Sequence, residues 1–391
     1  MEKKKLMPAF FAVAFVWFTT HFGGGFASGR QVVQYYVGYG WYASFLPIVS
    51  QALEAVVFYY AWKYAIERKK FDYRSWTLDF YKPVEKVMAP AFELIFQLIL
   101  VTATAVAFAT GGATITKVFG TSYLINTFII ALAMLLLTIF GAGLVRKAAS
   151  FIAIAIILGV IVIYVPNIVV NWSTITGNIA ALKAGTIVND ATFGQALWKT
   201  IVYAGFQASC LGAYLAHSNA LKDLNDVKKA AGWGFAINAT ILMMSTLGIM
   251  AFYQDGILTE AVPALYVVMN GVGSAWMTPL ISILIILGAV STGVNLIYGT
   301  TSRIVNFVSR NDTEEVKKQK ETKRSVVVSL AYVAATWMIA QFGLIPLIAK
   351  GYGTLGYIAV FVIIIPVIFR GIIGWKKIDS VIANESREKI S

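Results

Sequence analysis

The densest collection of chemically useful residues is the stretch Phe18-Thr19-Thr20-His21-Phe22-Gly23-Gly24-Gly25-Phe26-Ala27-Ser28-Gly29-Arg30. It sits in the middle of an apolar run. Three consecutive glycines are poor helix material, each costing about 1 kcal/mol relative to alanine, and backbone groups released inside hydrocarbon need partners. A helix interrupted here would aim the free N–H groups of its second half, around Gly24, Gly25 and Phe26, at an anion such as a carboxylate. The carbonyls ending its first half, around Thr19 and Thr20, would face a cation or an ammonium group. A small zwitterion suits both ends. The bland reading of Gly25-x-x-x-Gly29 is close helix packing. The run Gly23-Gly24-Gly25 with its flanking polar residues favours a binding break.

Few ionisable groups fall inside apolar segments: His21, Glu54, Glu93 and, near an outer end, Arg30. Charge within a membrane is costly, so function is the default expectation for such residues. Glu54 and Glu93 are candidates for coupling or gating, by carrying a proton or bonding to a helix break. His21, beside the glycines, is placed to touch a solute or to titrate; a hydrogen-bonded structural histidine is the competing reading.

These residues must be positioned by membrane helices. The 391 residues are 58% hydrophobic and 13% charged, with mean hydropathy +0.72, which excludes a soluble enzyme, a secreted disulfide scaffold and a disordered chain. The single cysteine, Cys210, has no partner for an internal disulfide, and no zinc-type cluster accompanies it. Apolar runs long enough to span a bilayer predict an all-α polytopic membrane protein with ten transmembrane helices: 8–37, 41–64, 88–111, 122–143, 148–170, 195–219, 231–254, 276–308, 325–348 and 353–375.

Net charge +13 raises the question of nucleic acid, but sorting the charge by loop answers it differently. Of 32 Lys and Arg, only Arg30, Lys117, Lys183, Lys199 and Lys350 fall on the second side of the membrane. The positive-inside bias makes the first side, with both termini, cytoplasmic. The partners expected are the lipid bilayer and a small amino acid-like solute, and not nucleic acid; oligomeric state is unreadable. The expected division is 1–7 cytoplasmic N-terminus, 8–170 first five-helix repeat, 171–194 outer loop, 195–375 second repeat and 376–391 cytoplasmic tail. Loops 171–194 and 255–275 carry apolar residues at helical spacing, such as Val262, Leu265, Tyr266 and Met269, and predict short helices across the outer mouth.

Two five-helix halves in one membrane have opposite orientation, the arrangement of inverted-repeat transporters. Helix 6, the first of the second half, carries Tyr203-Ala204-Gly205-Phe206-Gln207-Ala208-Ser209-Cys210-Leu211-Gly212, again with glycine and polar residues near mid-span. This layout, the helix 1 pattern ending in Arg30, and Ser291-Thr292 in helix 8 resemble the amino acid–polyamine–organocation superfamily with its sodium-symporter-type (LeuT-like) 5+5 inverted-repeat fold. Phe22 to Arg30 and Val262-Pro263-Ala264-Leu265 look most similar to the YkvI-like amino-acid permeases of bacteria. The resemblance covers 8–375.

The resemblance implies discontinuous helices 1 and 6 whose breaks bind the solute. On this chain that set is Thr20, His21, Gly23, Gly24, Gly25, Ala204, Gly205, Phe206 and Gln207, with Phe206 as the occluding aromatic. It implies that Ser291 and Thr292 join carbonyl oxygens of helix 1 around a sodium ion, the one cofactor-like species expected. Proton-coupled relatives place a lysine in helix 5; none lies in 151–170, which mildly favours sodium. Arg30 matches an outer-gate arginine, but helix 10 lacks the acidic partner, leaving Asp190, Asp255 or Glu260 as substitutes. Thr102 and Thr104 of helix 3 are further pocket candidates.

The expected function is a secondary active transporter in the cytoplasmic membrane of a bacterium. It would move a small amino acid or related zwitterion by alternating access, helices 1, 2, 6 and 7 rocking against 3, 4, 8 and 9, coupled to a sodium gradient. The alternatives are a proton-coupled or uncoupled amino-acid or amine transporter and, more distantly, a channel or membrane sensor. An intramembrane protease is disfavoured: Ala27-Ser28-Gly29 has only His217 as a downstream histidine and no acidic partner set. No repeated selectivity-filter loop supports a channel.

Overall fold

The computed structural model describes residues 7–375, Lys377 and Ser380, with the backbone alone at 142, 144–150 and 153. The remaining residues of the 1–7 and 376–391 ends lie outside the described residues. Among those described, the regular structure is entirely helical. In chain order the elements are α1 Ala9–His21, α2 Gly24–Ala27, α3 Arg30–Tyr35, α4 Leu46–Arg68, α5 Tyr73–Phe80, α6 Glu85–Phe119, α7 Tyr123–Phe140 and α8 Ala142–Val170. There follow α9 Trp172–Ala184, α10 Phe193–Ala208, α11 Leu211–Leu215, α12 Leu224–Met250, α13 Pro263–Asn270, α14 Ser274–Val308, α15 Glu314–Ala340, and α16, a run of α and π turns over Leu344–Ile373.

Among the described residues, five helices are long and apolar enough to cross a membrane: α6, α7, α12, α14 and α16. Two bent pairs raise the number to seven, one folding 82° between 37–44 and α4, the other 75° between α8 and α9. Neither the expected helix 1 nor the expected helix 6 is a continuous span, because each is divided. The chain is therefore a multi-pass helical membrane protein by its spans.

Several boundaries differ from expectation. The expected helix 2 begins at Leu46, since Tyr39 and Gly40 leave helical geometry within 37–44. The join between the last two spans falls at 341–343, where Gly343 has φ +88°, so Lys350 lies inside α16 and not in a connection. Residues 204–207 lie within α10, and the interruption of that segment falls later, at Ser209 and Cys210. Both outer segments do form helices, as α9 and α13.

The core is aromatic and aliphatic, with Trp17, Trp62, Tyr35, Tyr36, Tyr203 and Tyr214 all buried. α1 packs on α12, α4 on α12 and α10, and α14 on α6 and α8, so the broken first segment is held between two groups of long helices. α10 and α16 approach until their backbones touch. A Cβ on Gly205 would meet the Gly356 carbonyl, and one on Gly356 the Val202 carbonyl. Small residues at helix crossings permit such contact in membranes. Gly205→Val is expected to cost about 1–3 kcal/mol through overpacking, seen as a lower thermal unfolding midpoint in detergent; an unchanged midpoint would show that the crossing is not close-packed.

Candidate functional site

The interruption of the first segment is a double one. The helical ladder of α1 ends with the Phe22 N–H donating to the Phe18 carbonyl (2.9 Å). Gly23 is extended (φ −63°, ψ 177°), and the ladder resumes with Phe26 N–H to Gly23 carbonyl (3.0 Å). Between these bonds lie the carbonyl end of α1 and the N–H end of α2, the groups that helix termini leave unpaired. A second break follows at Ser28 and Gly29. Gly29 has φ +79°, and Ala264 N would lie 2.8 Å from any Cβ there, so both conformation and space call for glycine.

A cavity of about 360 Å³ opens on the N-terminal side of the first break. α1 contributes Phe15, Val16, Phe18, Thr19, Thr20 and Phe22; α14 contributes Gly288, Ser291, Thr292, Asn295 and Leu296; Ile152, Ile156 and Ala213 complete the wall. The expected hydroxyl pair is thus brought against the expected helix end. A Cβ on Gly23 would sit 3.6 Å from Thr292 Cγ2 and 3.9 Å from its Oγ1. Thr19 and Thr20 hydroxyls donate back to the Val16 carbonyl (3.1 and 2.9 Å), a bond common for hydroxyl residues in membrane helices.

Gly24 and Gly25 are buried against side chains that the sequence did not single out. Gly24 faces Thr110 of α6, whose buried hydroxyl has no hydrogen-bond partner, and Ala289 of α14. Gly25 abuts the Gln31 amide, whose Oε1 is also buried and unpartnered. Buried polar atoms without partners are uncommon and call for an explanation such as a ligand or water. Asn295, one turn beyond Ser291, is legible only in hindsight through its i, i+4 spacing on the same helix face.

His21 does not point into the cavity. Its Nδ1 pairs with Asn238 Oδ1 (2.6 Å) and its Nε2 with Tyr203 OH (2.5 Å), all three groups buried. Gln207 Nε2 donates to Tyr203 OH (3.2 Å), so the network ties α1 to α10 and α12. Of the expected solute set, then, Thr20 lines the cavity and Gly23 to Gly25 form the break. His21 and Gln207 belong instead to a polar tie between helices. Ala204, Gly205 and Phe206 lie within α10, packed against α16: the Phe206 ring stacks on Tyr352 at 4.1 Å between centroids and is 5% exposed. Thr104 bonds to Tyr332 (3.0 Å) and Thr102 to the Leu98 carbonyl (2.8 Å); neither lines the cavity.

Arg30 is buried and takes main-chain partners. Its Nη1 donates to the carbonyls of Leu258 (2.6 Å) and Glu260 (3.1 Å), and its Nη2 to Gln34 Oε1 (3.3 Å). Of the suggested partners, only Glu260 is engaged, through its backbone. The Glu260 carboxylate receives Lys117 Nζ at 2.9 Å on both oxygens. Glu93 accepts from Gln97 (2.7 Å) and from Tyr73 of α5 (3.2 Å), apart from the cavity. Glu54 lies buried on α4, one oxygen held by Gln51 (2.9 Å). Among the described residues, no three His, Cys, Asp or Glu gather as a metal cluster.

No protein-family profile and no curated protein matches the chain. Among solved structures, the Eremococcus coleocola manganese transporter in complex with an aromatic bis-isothiourea substituted compound aligns over 93% of this chain and 86% of its own, at 12% identity and TM-score 0.48. Two point variants of that transporter align over 93% of this chain and 87% of theirs, at 14% identity and TM-scores of 0.45 and 0.44. Likeness of this degree bears on neither solute nor ions.

Asn238→Leu is expected to leave His21 Nδ1 and its proton without a partner in the core, costing about 1–3 kcal/mol. A thermal unfolding midpoint equal to that of the parent would remove the network from the set of structural ties.

Proposed function

We propose that the chain is a secondary active transporter that moves a small amino acid or related zwitterion across the cytoplasmic membrane by alternating access. The observation that carries this reading is a helix broken inside a membrane bundle, with a cavity at the break and unpartnered buried polar groups beside it. Irregular backbone at membrane depth is tolerated where it is enclosed by protein or lines a cavity. The two exposed helix ends carry opposite partial charge, which matches a carboxylate and an ammonium held a few ångströms apart. Apolar walls from Phe15, Phe18, Phe22, Ile152 and Ile156 suit a small apolar side chain.

In this reading the two halves, 8–170 and 195–375, form the 5+5 inverted repeat of the amino acid–polyamine–organocation superfamily, in the manner of the YkvI-like permeases. Both termini face the cytoplasm, and the cavity is then the inward mouth of the route. The Tyr35, Tyr203, Phe206 and Tyr352 rings, whose neighbouring centroids lie 4.1–6.5 Å apart, close the other side. Lid helix α13 and the Arg30 contacts to 258–260 reinforce that closure.

Sodium is the coupling ion this arrangement favours. The Ser291 and Thr292 hydroxyls and the carbonyl end of α1 are all oxygen donors, the set a hard cation takes. The residues present fit such an ion.

A thermal-shift screen of the purified protein against amino acids, amines and osmolytes, with and without sodium, tests the reading, since a ligand of the native state raises apparent stability. An amino acid is expected to stabilise the parent and not Gly24→Leu, which fills the break. Thr110→Val, nearly isosteric, is expected to weaken binding about tenfold, the equivalent of one lost hydrogen bond. Full binding by Gly24→Leu would sink the site. The sodium dependence of the shift should vanish in the Ser291→Ala/Thr292→Ala double variant; sodium-independent binding in the parent would discard the ion.

A further inference from the structure

The solute route leaves one buried acid unused. Glu54 of α4 has 0% exposure; the Gln51 amide holds its Oε1 at 2.9 Å, and its Oε2 has no hydrogen-bond partner. Two more unpartnered polar atoms belong to its neighbours, Trp17 Nε1 of α1 and Gln51 Oε1. The Trp17 indole N–H is turned towards the carboxyl group without closing a bond. The other ionisable side chains facing Glu54 are Tyr36 after α3, Tyr203 of α10, Cys210 at the interruption, and Tyr214. None of these is a cation. An ionised carboxylate here would be an unpaired charge beside the packed rings of Trp17, Phe58 and Trp62, which burial strongly disfavours.

From this placement we propose that Glu54 is a proton-binding site, and that its proton is released when the α1 segment moves away from α4. α1 lies between the two sites: Phe15, Thr19 and Phe22 face the solute cavity, while Trp17 covers Glu54. A motion of α1 towards α14 and away from α4, which narrows the cavity, draws Trp17 off the carboxyl group and admits water. The O–H bond then breaks heterolytically, the electron pair staying on the carboxylate and the proton passing to water. Re-packing of α1 requires a proton to be taken up again. Glu54 would thus lose and regain one proton with each excursion of α1, whichever other ion binds near Ser291. This rests on the alternating-access reading, but its test needs no solute.

The test is infrared spectroscopy and hydrogen–deuterium exchange on the purified full chain. At neutral pH the parent is expected to show the carbonyl stretch of a buried carboxylic acid, and Glu54→Gln to lack it. Exchange over Ala9–His21, corrected for the intrinsic pH dependence of amide exchange, is expected to rise with pH on the order of tenfold per unit, as linkage to one proton requires, and to be flat in Glu54→Gln. Absence of the acid band in the parent overturns the proposal, as does the same pH dependence in both proteins. Should Glu54→Gln fail to fold, Gln51→Leu keeps the acid while removing its partner. A shifted band frequency then supports Glu54, and an unmoved band assigns it elsewhere and overturns the proposal. A negative result here leaves solute-induced stabilisation, tested separately, untouched.

Discussion

Everything in the molecule depends on what happens to the backbone of the first apolar segment once its hydrogen-bond ladder stops. Within hydrocarbon no water waits to receive released N–H and C=O groups. The second break shows how the protein answers. The Ser28 carbonyl accepts from Ala264 N–H of α13 at 2.9 Å, while the Ser28 hydroxyl donates to the Gly25 carbonyl (2.7 Å) and accepts from Arg30 N–H (3.1 Å). The first turn of α13 therefore satisfies a backbone group of the broken segment. The first break receives no such answer from the main chain, and the polar side chains that approach it are Thr110, Gln31 and Thr292.

That difference gives the two sides of the break different character. On the Arg30 side, main-chain bonds, the guanidinium contacts to residues 258–260 and a stack of aromatic rings fasten the segment to its neighbours. Lys117 and Glu260 add an ion pair between α6 and the lid, though one only partly withdrawn from solvent and hence of modest strength. On the α1 side the helix end faces α14 across the cavity, with Ile152, Ile156 and Ala213 completing the wall. The two ends of the broken segment are thus held differently, by direct hydrogen bonds around α13 and beside a cavity at the end of α1.

Much of this was legible in the sequence, and the exceptions have physical causes. The break at Gly23 to Gly25 followed from helix propensity, the outer helices from apolar spacing, and the meeting of Ser291-Thr292 with the first segment from the resemblance. The interruption of the second segment was placed too early. Gly205 marked the spot by composition, but it is small in order to let the Gly356 backbone approach, and the helix runs straight through it. A glycine needed for packing and one needed for a break are the same letter. Thr110 and Asn238 were missed for the complementary reason: a lone hydroxyl or amide in an apolar helix carries no pattern, and only its neighbours show whether it is satisfied.

The same distinction separates two of the four intramembrane residues that rarity alone had ranked together. His21 and Glu54 are equally buried and equally out of place in hydrocarbon. His21 has both nitrogens engaged, each by a neutral partner on a different helix, so its environment is complete with the ring uncharged and holds α1 in register. Glu54 has one oxygen engaged and the other without a partner. A polar residue whose bonds are all made stabilises the conformation in which they are made. One whose bonds are half made is completed only by a proton, a water or a movement, and each of these differs between conformations.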